Sequence, residues 1–432
     1  MYLQPLLLNE DFRYALKSLE ESRKSLFVTG RAGTGKSTLL QLFRNTTRKK
    51  LAVLAPTGVA ALNVQGQTIH SFFGFAPKML TKNDIQKRYD RRVYQSLDIL
   101  IIDEISMVRA DMLDNIDYFL RINRENPLPF GGVQMIFFGD LYQLPPVVSS
   151  EEEKKYFQTV YQSPFFFSAK VLEAGFLLET LELHKVYRQS ERHFIRLLDA
   201  IRTNRIDGDD LEDLNERHQT SLLPDAAAHI TLCARNATAD GINEKKLLQL
   251  DTTEFKYLSA VTGEFNPLLF PAEAVLRLKV GAQVMFVKND LEKQFVNGTL
   301  GRVTRLTEEQ IFVETEEKEG IPQLLEVRPA QWEIIRYKPN ESEPTNITPE
   351  TIGTFTQYPL RLAWAITIHK SQGKTFDRIM IDLGAGAFEH GQTYVALSRC
   401  RTLGGIVLRQ PLRLRDVMTD DRVVEFMRHQ VG

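Results

Sequence analysis

Cysteine, tryptophan and net charge are all scarce in this sequence. The chain of 432 residues contains two tryptophans and two cysteines, Cys233 and Cys400. Two cysteines exclude a disulfide framework and a cysteine-rich zinc site, and they are typical of a reducing compartment. The 54 basic and 55 acidic side chains give a net charge of −1. That balance neither indicates nor excludes a nucleic-acid partner, because a binding groove needs only a local basic surface.

Long apolar runs are absent as well. No run approaches the ~18 residues that cross a bilayer. The first residues lack the basic start of a signal peptide, and Glu10-Asp11 follows soon after them. We therefore expect no membrane partner and a cytoplasmic location, associated with the nucleoid if the source is bacterial. The composition is that of an ordinary globular protein, and the length predicts two or more domains.

One stretch, Gly30–Ser37, fits the pattern G-x-x-x-x-G-K-[ST] without a mismatch. The apolar run Leu26–Val28 precedes it and a helical apolar pattern follows, so the motif lies in a strand–loop–helix context. Lys36 would reach the β- and γ-phosphates of ATP, and Ser37 would ligate Mg²⁺. The alternative is a plain glycine-rich turn, against which motif and context agree. The predicted nucleotide contacts are Gly30, Ala32, Gly33, Thr34, Gly35, Lys36, Ser37 and Thr38.

The first part of the chain has the pattern of a doubly wound α/β lobe, predicted over residues 1–165. Runs that are apolar throughout indicate strands buried on both faces of a parallel sheet. These runs are Leu26–Val28, Leu51–Leu54, Ile99–Ile102 and Met135–Phe138. Within this lobe the basic stretch Gly74–Arg92 predicts a small inserted subdomain at about residues 72–96, with a solvated surface loop as the alternative.

A second α/β lobe is predicted over residues 166–294 and 357–432. Its expected strands are Phe176–Leu178, His229–Cys233, Leu360–Ile366, Ile379–Leu383 and Ile406–Leu408. Between them, residues 295–356 carry short alternating apolar runs around the acidic turn Glu314–Gly320. That pattern predicts a small β-barrel-like insertion, with Asn340–Thr354 as the linker that returns to the lobe.

Two further segments of the first lobe carry candidate chemistry. Asp103-Glu104 closes the apolar strand Ile99–Ile102, as in a Walker B motif. Asp103 would hold Mg²⁺ and Glu104 would orient and deprotonate the attacking water. Gln143 follows the fourth apolar run, and a neutral amide there can contact the γ-phosphate or position water. In the second lobe, Arg188 and Arg399 suit phosphate by chemistry, but spacing alone makes each an ordinary surface arginine.

Taken in order, these motifs resemble those of the superfamily-one helicases, and most closely the Pif/RecD-like, petite-integration-frequency type. The resemblance spans nearly the whole chain. The run from Ser106 through Arg109, Leu113 and Arg121 to Phe130-Gly131-Gly132 resembles a signature of that family. The motifs are Gly30–Ser37, Ala55–Leu62, Gly66–Phe72, Asp103–Met107, Gly139–Pro146, Ile366–Gly373 and Tyr394–Arg399.

This resemblance implies an ATP- and Mg²⁺-dependent translocase on single-stranded DNA that unwinds duplex in the 5′-to-3′ direction. It implies two RecA-like lobes with ATP between them and DNA across their tops, and it makes residues 295–356 an SH3-like subdomain. Lys36, Glu104 and Gln143 become catalytic residues, with Arg188 and Arg399 as arginine fingers. The implied DNA contacts are Thr57, Gly58, His70, Phe72, Arg235, Asn236, Thr367, His369, Lys370 and Ser371.

The same resemblance bears on partners and pathway. The expected partners are single-stranded DNA and junctions between single- and double-stranded DNA, and the basic insertion is expected near the duplex junction. We expect a monomer in solution and leave a dimer on DNA open. Forked or G-quadruplex DNA are the structures the resemblance suggests, in replication, repair, recombination or telomere and genome maintenance.

One position departs from the helicase pattern. Related helicases often place an adenine-reading glutamine in the helix before the P-loop, whereas the matching stretch Leu8–Phe12 has phenylalanine there. Gln4 in the lead-in is our candidate substitute. Strict preference for ATP over other nucleotides is therefore an open point.

Three other functions compete with a DNA helicase. The first is a P-loop ATPase of another class, such as an oligomeric remodeller or a nucleotide kinase, which would not need paired motifs in a second lobe. The second is a non-enzymatic, nucleotide-gated DNA-binding module, against which the intact Lys36, Asp103, Glu104 and Gln143 argue. The third is an RNA helicase, because recognition of a 2′-hydroxyl depends on positions that the sequence does not identify.

Overall fold

The structure is a computed structural model that describes residues 9–148, 150–219, 229–290, 292, 294–316, 322–340 and 347–431. The chain forms two compact units. The first comprises Met1–Tyr187, Ile334–Ile352 and Asp420–Gly432, and the second comprises Arg188–Glu333 and Gly353–Thr419. None of the helices in the described ranges has the length and apolar character needed to cross a membrane.

The first unit is built on a parallel sheet of six strands. In chain order these are β1 (Ser25–Gly30), β2 (Leu51–Ala55), β3 (Gln67–Thr68), β4 (Ile99–Ile102), β5 (Gln134–Phe138) and β6 (Leu178–Leu183). They lie side by side in the order β3-β2-β4-β5-β1-β6, and each neighbouring pair is parallel. Every residue of β1 and β4 is buried, as their apolar sequences predict for central strands.

Helices cover both faces of this sheet. In chain order they are α1 (Glu10–Glu21), α2 (Lys36–Thr46), α3 (Gly58–Asn63), α4 (Ile69–Phe73), α5 (Arg92–Ser96), α6 (Ala110–Arg124), α7 (Glu151–Val160) and α8 (Lys170–Glu173). On one face α1 and α2 pack against alternate strand residues such as Leu26 and Val28. On the other, Phe27 and Phe137 contact the ring of Phe166 edge-on. The prediction of a doubly wound parallel α/β lobe is confirmed.

The predicted end of the first lobe at residue 165 is wrong. Strand β6 pairs in parallel with β1 over its whole length, from Ser25 opposite Leu178 to Gly30 opposite Leu183. The segment that we assigned to the second lobe as Phe176–Leu178 therefore leads into the edge strand of the first sheet. As an edge strand it is only partly buried and mixes polar with apolar residues, so it lacks the apolar run that identified the four central strands.

The basic stretch Gly74–Arg92 links α4 to α5 with little regular structure. Most of its positive charges are paired with carboxylates. Lys78 bonds to Asp84 at 2.7 Å and Arg92 to Asp90 at 2.6 Å. Lys87 and Arg91 both contact Glu125, which is the first residue after α6. The stretch is therefore less electropositive than its sequence suggests.

The second unit contains a smaller parallel sheet and most of the β-rich part of the chain. Its first three helices are α9 (Arg192–Arg202), α10 (Gly208–Asn215) and α11 (Asn236–Leu248). The next strands in chain order are β7 (Ile230–Cys233), β8 (Glu254–Leu258), β9 (Ala260–Gly263), β10 (Val275–Lys279), β11 (Gln283–Phe286), β12 (Leu300–Leu306), β13 (Ile311–Glu316) and β14 (Pro322–Val327). The later strands are β15 (Ala330–Pro339), β16 (Ile347–Gln357), β17 (Leu360–Leu362), β18 (Ala365–Thr367), β19 (Ile379–Asp382) and β20 (Ile406–Leu408). Of these, β15 and β16 are shared, because Ile334–Ile352 belongs to the first unit.

The parallel sheet of this unit has the order β18-β7-β19-β20. Its remaining helices are α12 (Ile368–Ser371) and α13 (Gln392–Leu397), while the last helix of the chain, α14 (Asp421–Val431), belongs to the first unit. The prediction of a second parallel α/β lobe is confirmed, since β7, β18, β19 and β20 pair in parallel.

The β-rich part begins earlier than the predicted residue 295. Strands β8 to β11 precede that residue, and the sheets are β14-β13-β12-β11-β17, β10-β8 and β15-β16-β9. The predicted linker Asn340–Thr354 contains most of β16, which pairs with β9. The predicted strand Leu360–Ile366 is two strands in two different sheets, β17 and β18. Residues 317–320 of the predicted acidic turn and 341–346 of the predicted linker lie outside the described residues.

Candidate active site

The P-loop connects β1 to α2, and its glycines have conformations that other residues adopt only with strain. Gly33 has φ +82° and Gly35 has φ +87°. A Cβ on Gly35 would lie 2.7 Å from Cζ of Phe12, and one on Gly30 would lie 2.6 Å from the carbonyl oxygen of Leu183. Gly35 is also the N-cap of α2 and supplies no capping side chain. The N-terminus of α2 therefore has no side-chain cap from Gly35, and helix N-termini of this kind bind anions such as phosphate.

Lys36 lies over the loop that precedes it. Its ammonium donates hydrogen bonds to the carbonyl oxygens of Gly30 at 2.7 Å and Arg31 at 3.1 Å. Thr34 is buried and its hydroxyl donates to the same Arg31 carbonyl at 2.9 Å, which fixes the turn from inside. Ser37 and Thr38 are exposed in the first turn of α2. These contacts hold the ammonium beside the helix N-terminus, where phosphate would bind.

Phe12, at the position where a glutamine was expected, supports the P-loop instead of facing a base. Its side chain is 3% exposed and lies directly beneath Gly35. Its ring meets that of Tyr187 edge-on at 6.1 Å, and the Tyr187 N–H donates to the carbonyl of Gly33 at 2.9 Å. Gln4, our candidate for adenine recognition, lies outside the described residues.

Asp103 and Glu104 follow β4 directly. Asp103 is 7% exposed. Burial, together with the neighbouring charge of Glu104, raises the pKa of Asp103 to about 7, although the charge of Lys36 acts in the opposite direction. Glu104 has φ +51° and ψ +47°, a left-handed conformation that costs a non-glycine residue about 1–2 kcal/mol. Such strain at a strand end is typical of a functional position.

Gln143 lies in the loop after β5 and is almost completely buried. Its side-chain amide donates to a carboxylate oxygen of Asp140 at 3.2 Å, and its backbone N–H donates to the Asp140 carbonyl at 2.9 Å. Strands β4, β5 and β1 are neighbours in the parallel sheet. The P-loop, Asp103-Glu104 and Gln143 therefore all follow the carboxyl ends of adjacent strands, which is where open α/β sheets bind ligands.

This set of groups fits a magnesium–nucleotide complex. A hydroxyl oxygen from Ser37 and a carboxylate oxygen from Asp103 are the hard donors that Mg²⁺ prefers. Within the described part of the chain, no group of three or more histidine, cysteine or acidic side chains could hold a metal by itself. Mg²⁺ commonly uses one or two protein ligands and completes its octahedron with water and substrate phosphates, so a larger protein cage is not needed.

In the second unit, Arg188 and Arg399 meet around Ser398. Arg188 donates to the Ser398 carbonyl at 3.0 Å. Arg399 is 1% exposed and donates to the Ser398 hydroxyl at 2.8 Å and to the Val395 carbonyl at 2.9 Å. Burial, and next the charge of Arg399, hold the pKa of Arg188 well below its usual range. Among the described residues, no carboxylate is within 4 Å of the Arg188 guanidinium. Both predicted fingers contact Ser398, so the structure brings them together.

Gln189 secures this arrangement and was missed in the sequence. Its amide donates to the carbonyls of Ser398 at 3.1 Å and Cys400 at 2.8 Å. It is buried, and it ties the segment that carries Arg188 to the segment that carries Arg399. Its place directly after Arg188 was the only signal in the sequence.

The predicted DNA contacts of the first unit have different surroundings. Thr57 is exposed, caps α3 by accepting the Ala60 N–H at 3.2 Å, and precedes Gly58. Burial, and then the charge of Arg109, lower the pKa of His70, which favours a neutral ring. Phe72 is 6% exposed, and its ring packs edge-on against three other aromatic rings of this unit. A buried ring cannot stack on a base, so we withdraw Phe72 from the DNA contacts.

In the second unit, two of the predicted contacts are buried. Thr367 is 3% exposed and caps α12, and Ser371 is fully buried and donates to the Ile368 carbonyl at 2.6 Å. Their side chains serve the local fold, and we withdraw both hydroxyls as phosphate ligands. His369 lies 3.2 Å from a carboxylate oxygen of Glu389.

The remaining predicted contacts of this unit are exposed. Lys370 follows His369 at the surface. Arg235 precedes α11 with its guanidinium 5.2 Å from the ring centre of Phe388, and Asn236 begins that helix. These three side chains stay available to a strand.

Comparison with known proteins identifies relatives along the whole chain. The family model of the PIF1-like helicases matches residues 8–212, and that of the DNA helicase Pif1 2B domain matches residues 268–306. The ATP-dependent DNA helicase Pif1 of Bdellovibrio bacteriovorus is 34% identical over 427 residues, which cover 96% of this chain and 90% of the relative. The human ATP-dependent DNA helicase PIF1 is 34% identical, over 93% of this chain and 61% of the relative.

Solved structures agree with this result. The structure of Bacteroides sp. Pif1 in complex with ADP-AlF4 superposes with a TM-score of 0.89 at 36% identity, covering 98% of this chain and 97% of the other. That of Bacteroides Pif1 bound to single-stranded DNA has a TM-score of 0.70 at 37% identity, with the same coverage. The chain spans 63%, 60% and 57% of the fungal and fish relatives from Emericella nidulans, Danio rerio and Candida albicans.

Proposed function

Because the chain belongs to the PIF1-like helicase family, we propose that it is an ATP-dependent DNA helicase. It hydrolyses ATP to move 5′-to-3′ along single-stranded DNA and to separate duplex DNA ahead of it. The proposal rests chiefly on one observation: the P-loop, Asp103-Glu104 and Gln143 follow the carboxyl ends of three adjacent parallel strands. A sheet edge built in this way places phosphate, metal and attacking water within reach of their partners.

Each group in the first unit has a distinct part in hydrolysis. Lys36 exchanges its two carbonyl partners for phosphate oxygens, and the N-terminus of α2 adds its partial positive charge. Ser37 and Asp103 would hold Mg²⁺, which would neutralise developing charge on the phosphates. Glu104 orients and deprotonates the attacking water, held in place by its constrained backbone. Gln143, anchored by Asp140, contacts the γ-phosphate without adding negative charge.

Arg188 and Arg399 supply positive charge in the nucleotide-bound protein. Arginine suits the transferred phosphoryl group because its planar fork donates two hydrogen bonds and stays protonated. The buried Arg188 lacks a carboxylate partner in the described residues, so a phosphate would offset the cost of burying its charge. Loss of the γ-phosphate removes that compensation, which couples hydrolysis to a change in conformation.

Single-stranded DNA and its junctions with duplex are the proposed partners. The related Bacteroides Pif1 is described bound to single-stranded DNA, and another Pif1 structure is described as two coordinating helicases at forked double-stranded DNA. We carry both over as proposals: a monomer that binds single strands, and cooperation of two copies at a fork. We retain Thr57, Gly58, His70, Arg235, Asn236, His369 and Lys370 as strand contacts, and among them the side chains of Thr57, Arg235, Asn236 and Lys370 are exposed.

Strand displacement tests this proposal. A labelled duplex with a 5′ single-stranded tail and one with a 3′ tail are offered in separate reactions, each with and without ATP. We expect displacement only from the 5′-tailed duplex and only with ATP. A matched RNA duplex serves as the third substrate. Displacement from the 3′ tail alone would overturn the direction, and displacement of RNA alone would overturn the choice of DNA.

A further inference from the structure

Arg361, Lys370 and Lys374 lie on the segment that runs from β17 to the residues just after α12, and Arg361 is near enough to act electrostatically on both lysines. Arg361 is the middle residue of β17, whose other two residues, Leu360 and Leu362, belong to the apolar core of the β-rich region. Because side chains alternate along a strand, Arg361 extends from the opposite face of the sheet. Lys370 and Lys374 follow within and just after α12, and the charge of Arg361 acts on both.

The described residues supply no direct counter-charge to these three cations. Within the described residues, neither Arg361, Lys370 nor Lys374 has a carboxylate oxygen within 4 Å. Asp240 and Glu273 act on Arg361 and Lys370 only from a longer range. Burial lowers the pKa of all three cations, and that of Lys374 falls to about 8. Like charges held near one another cost free energy, and a bound anion would offset that cost.

A shaped loop holds one of these cations in place. The side-chain oxygen of Asn297 accepts a hydrogen bond from the Lys374 ammonium. The next residue, Gly298, has φ +102°, and a Cβ there would lie 3.7 Å from the Cβ of Lys374. The Asn297 N–H donates to the side chain of Asn289 at 2.8 Å, and Phe295 stacks on Phe286 at 3.8 Å. The loop is thus fixed by its own contacts and can orient Lys374.

Strand register brings that loop and Arg361 to the same part of the sheet. On β11, Met285 pairs with Arg361 of β17 on one side and with Leu300 of β12 on the other. Leu300 directly follows the loop that carries Asn297. The loop and Arg361 therefore flank β11, and Lys374, just after α12, donates a hydrogen bond to Asn297.

We propose that Arg361, Lys370 and Lys374 form a phosphate site that grips the backbone of the bound single strand, with Asn297 as the residue that positions Lys374. This inference rests on the proposed function and extends it, since only Lys370 was identified from the sequence. Cations without base contacts suit a motor that moves over any sequence, because they bind phosphate and read no base. The same chemistry would also accept a nucleotide phosphate, and the test separates the two sources.

The test is the salt dependence of single-strand binding by Arg361→Gln and Lys374→Gln in the full chain. Fluorescence anisotropy of a labelled oligothymidine gives the affinity at several salt concentrations. Each phosphate contact adds about 0.7 to the slope of log affinity against log salt. We expect each variant to lower the slope by about 0.7 and to weaken binding at low salt about tenfold. The conservative Lys374→Arg should keep the wild-type slope.

The matched control is Lys256→Gln, which removes an exposed lysine of β8 in the same unit. We expect it to keep the wild-type slope. If the salt slope fell as much in this control as in the two glutamine variants, binding would depend on general charge attraction and the proposed site would be wrong. Thermal unfolding of every variant identifies any that fails to fold. Lys374 lies at the end of a turn and Arg361 within a strand, so Lys374→Gln still tests the site if Arg361→Gln does not fold.

Asn297 has a test of its own. Asn297→Ala leaves Lys374 charged but removes the hydrogen bond that positions it. The affinity for single-stranded DNA should therefore fall while most of the salt slope is retained. Asn297→Asp places a negative charge beside the Lys374 ammonium and should lower both the affinity and the salt slope. Equal behaviour of the two variants would contradict the positioning role.

Two further outcomes separate this inference from the proposed function. If the wild-type chain does not bind the oligonucleotide, the proposed function fails. If it binds and the two glutamine variants retain its slope and affinity, only the phosphate site is wrong. The affinity for ATP, measured on the same variants, distinguishes the source of phosphate. If the variants lost affinity for ATP and kept their affinity for the oligonucleotide, the cluster would bind the nucleotide phosphate and the proposal would be wrong.

Discussion

The first unit gathers carboxylates beside its P-loop, whereas the second unit buries two arginines around Ser398. In the first, burial raises the pKa of Asp103 to about 7. In the second, burial holds the pKa of Arg188 well below its usual range. The physical cause is the same and the sign is opposite, because burial disfavours whichever form is charged. Burial therefore favours the neutral form of the carboxyl in the first unit and of the guanidinium in the second.

The largest effect should come from Glu104→Gln. The amide keeps the shape of the side chain but cannot accept a proton, so ATP turnover should fall about 10²- to 10⁴-fold while nucleotide affinity is retained. A coupled phosphate-release assay and binding of a fluorescent nucleotide measure the two. Glu20→Gln, which changes an exposed carboxylate on α1, is the matched control. Turnover at the wild-type rate in Glu104→Gln would contradict the role of Glu104 as general base, and with it the contrast between catalytic carboxylates in the first unit and arginines in the second.

The next effect concerns the second unit. Arg188→Ala and Arg399→Ala each remove a donor from the phosphates, so turnover should fall about 10²- to 10³-fold. Affinity for ATP should change much less, because these contacts matter most when charge develops on the transferred group. Arg401→Ala, an exposed arginine two residues away, is the control. If both variants matched that control in turnover, the guanidinium pair would be structural and the electrostatic contrast would have no catalytic meaning.

A smaller effect should appear in the pH dependence of DNA binding. Burial, and then the charge of Arg361, lower the pKa of Lys374 to about 8. A bound phosphate would hold the proton and raise this pKa in the complex. Affinity should therefore be level below pH 8 and fall by up to tenfold per pH unit above it, until the pKa of the complex is reached.

The control for that titration is Lys374→Arg, which stays protonated and should flatten the curve. Affinity that rises with pH in the wild type, or a fall of the same size in the arginine variant, would contradict the assignment of Lys374.

The smallest effect compares two threonines that cap helices in the two units. Thr57 caps α3 and Thr367 caps α12, so replacement of either by alanine should cost about 1 kcal/mol of unfolding free energy. Only Thr57 is exposed, and only Thr57→Ala should also weaken binding to single-stranded DNA. Chemical denaturation and anisotropy measure the two quantities. Weaker DNA binding in Thr367→Ala, at unchanged stability, would return that buried hydroxyl to the DNA contacts.

The central strands and the P-loop could be predicted from the sequence because each is a local pattern. A run such as Ile99–Ile102 is apolar throughout because it is covered on both faces, and the spacing from Gly30 to Ser37 is fixed by phosphate geometry. Edge strand β6 was missed because it lacks that signal. Strands β8 to β11 were missed because their short runs do not differ from those of loops.

Burial and long-range contacts could not be predicted. Phe72 and Ser371 have the chemistry of DNA contacts, and only tertiary packing shows that both are buried. Arg188 and Ser398 are 210 residues apart in the chain, yet their contact gives the arginine pair its geometry. The same holds for Asn297 and Lys374, which are 77 residues apart. Such pairs depend on how the sheets assemble, and no local spacing reports that.

ATP hydrolysis by the wild-type chain, measured with and without single-stranded DNA, tests the account most directly. If the carboxylates and arginines form one site that DNA helps to assemble, turnover should rise strongly when the strand is added and stay low without it. The rate should return to the low value in Glu104→Gln at every DNA concentration. Hydrolysis that is the same with and without DNA would contradict the helicase and return the chain to the general class of P-loop ATPases.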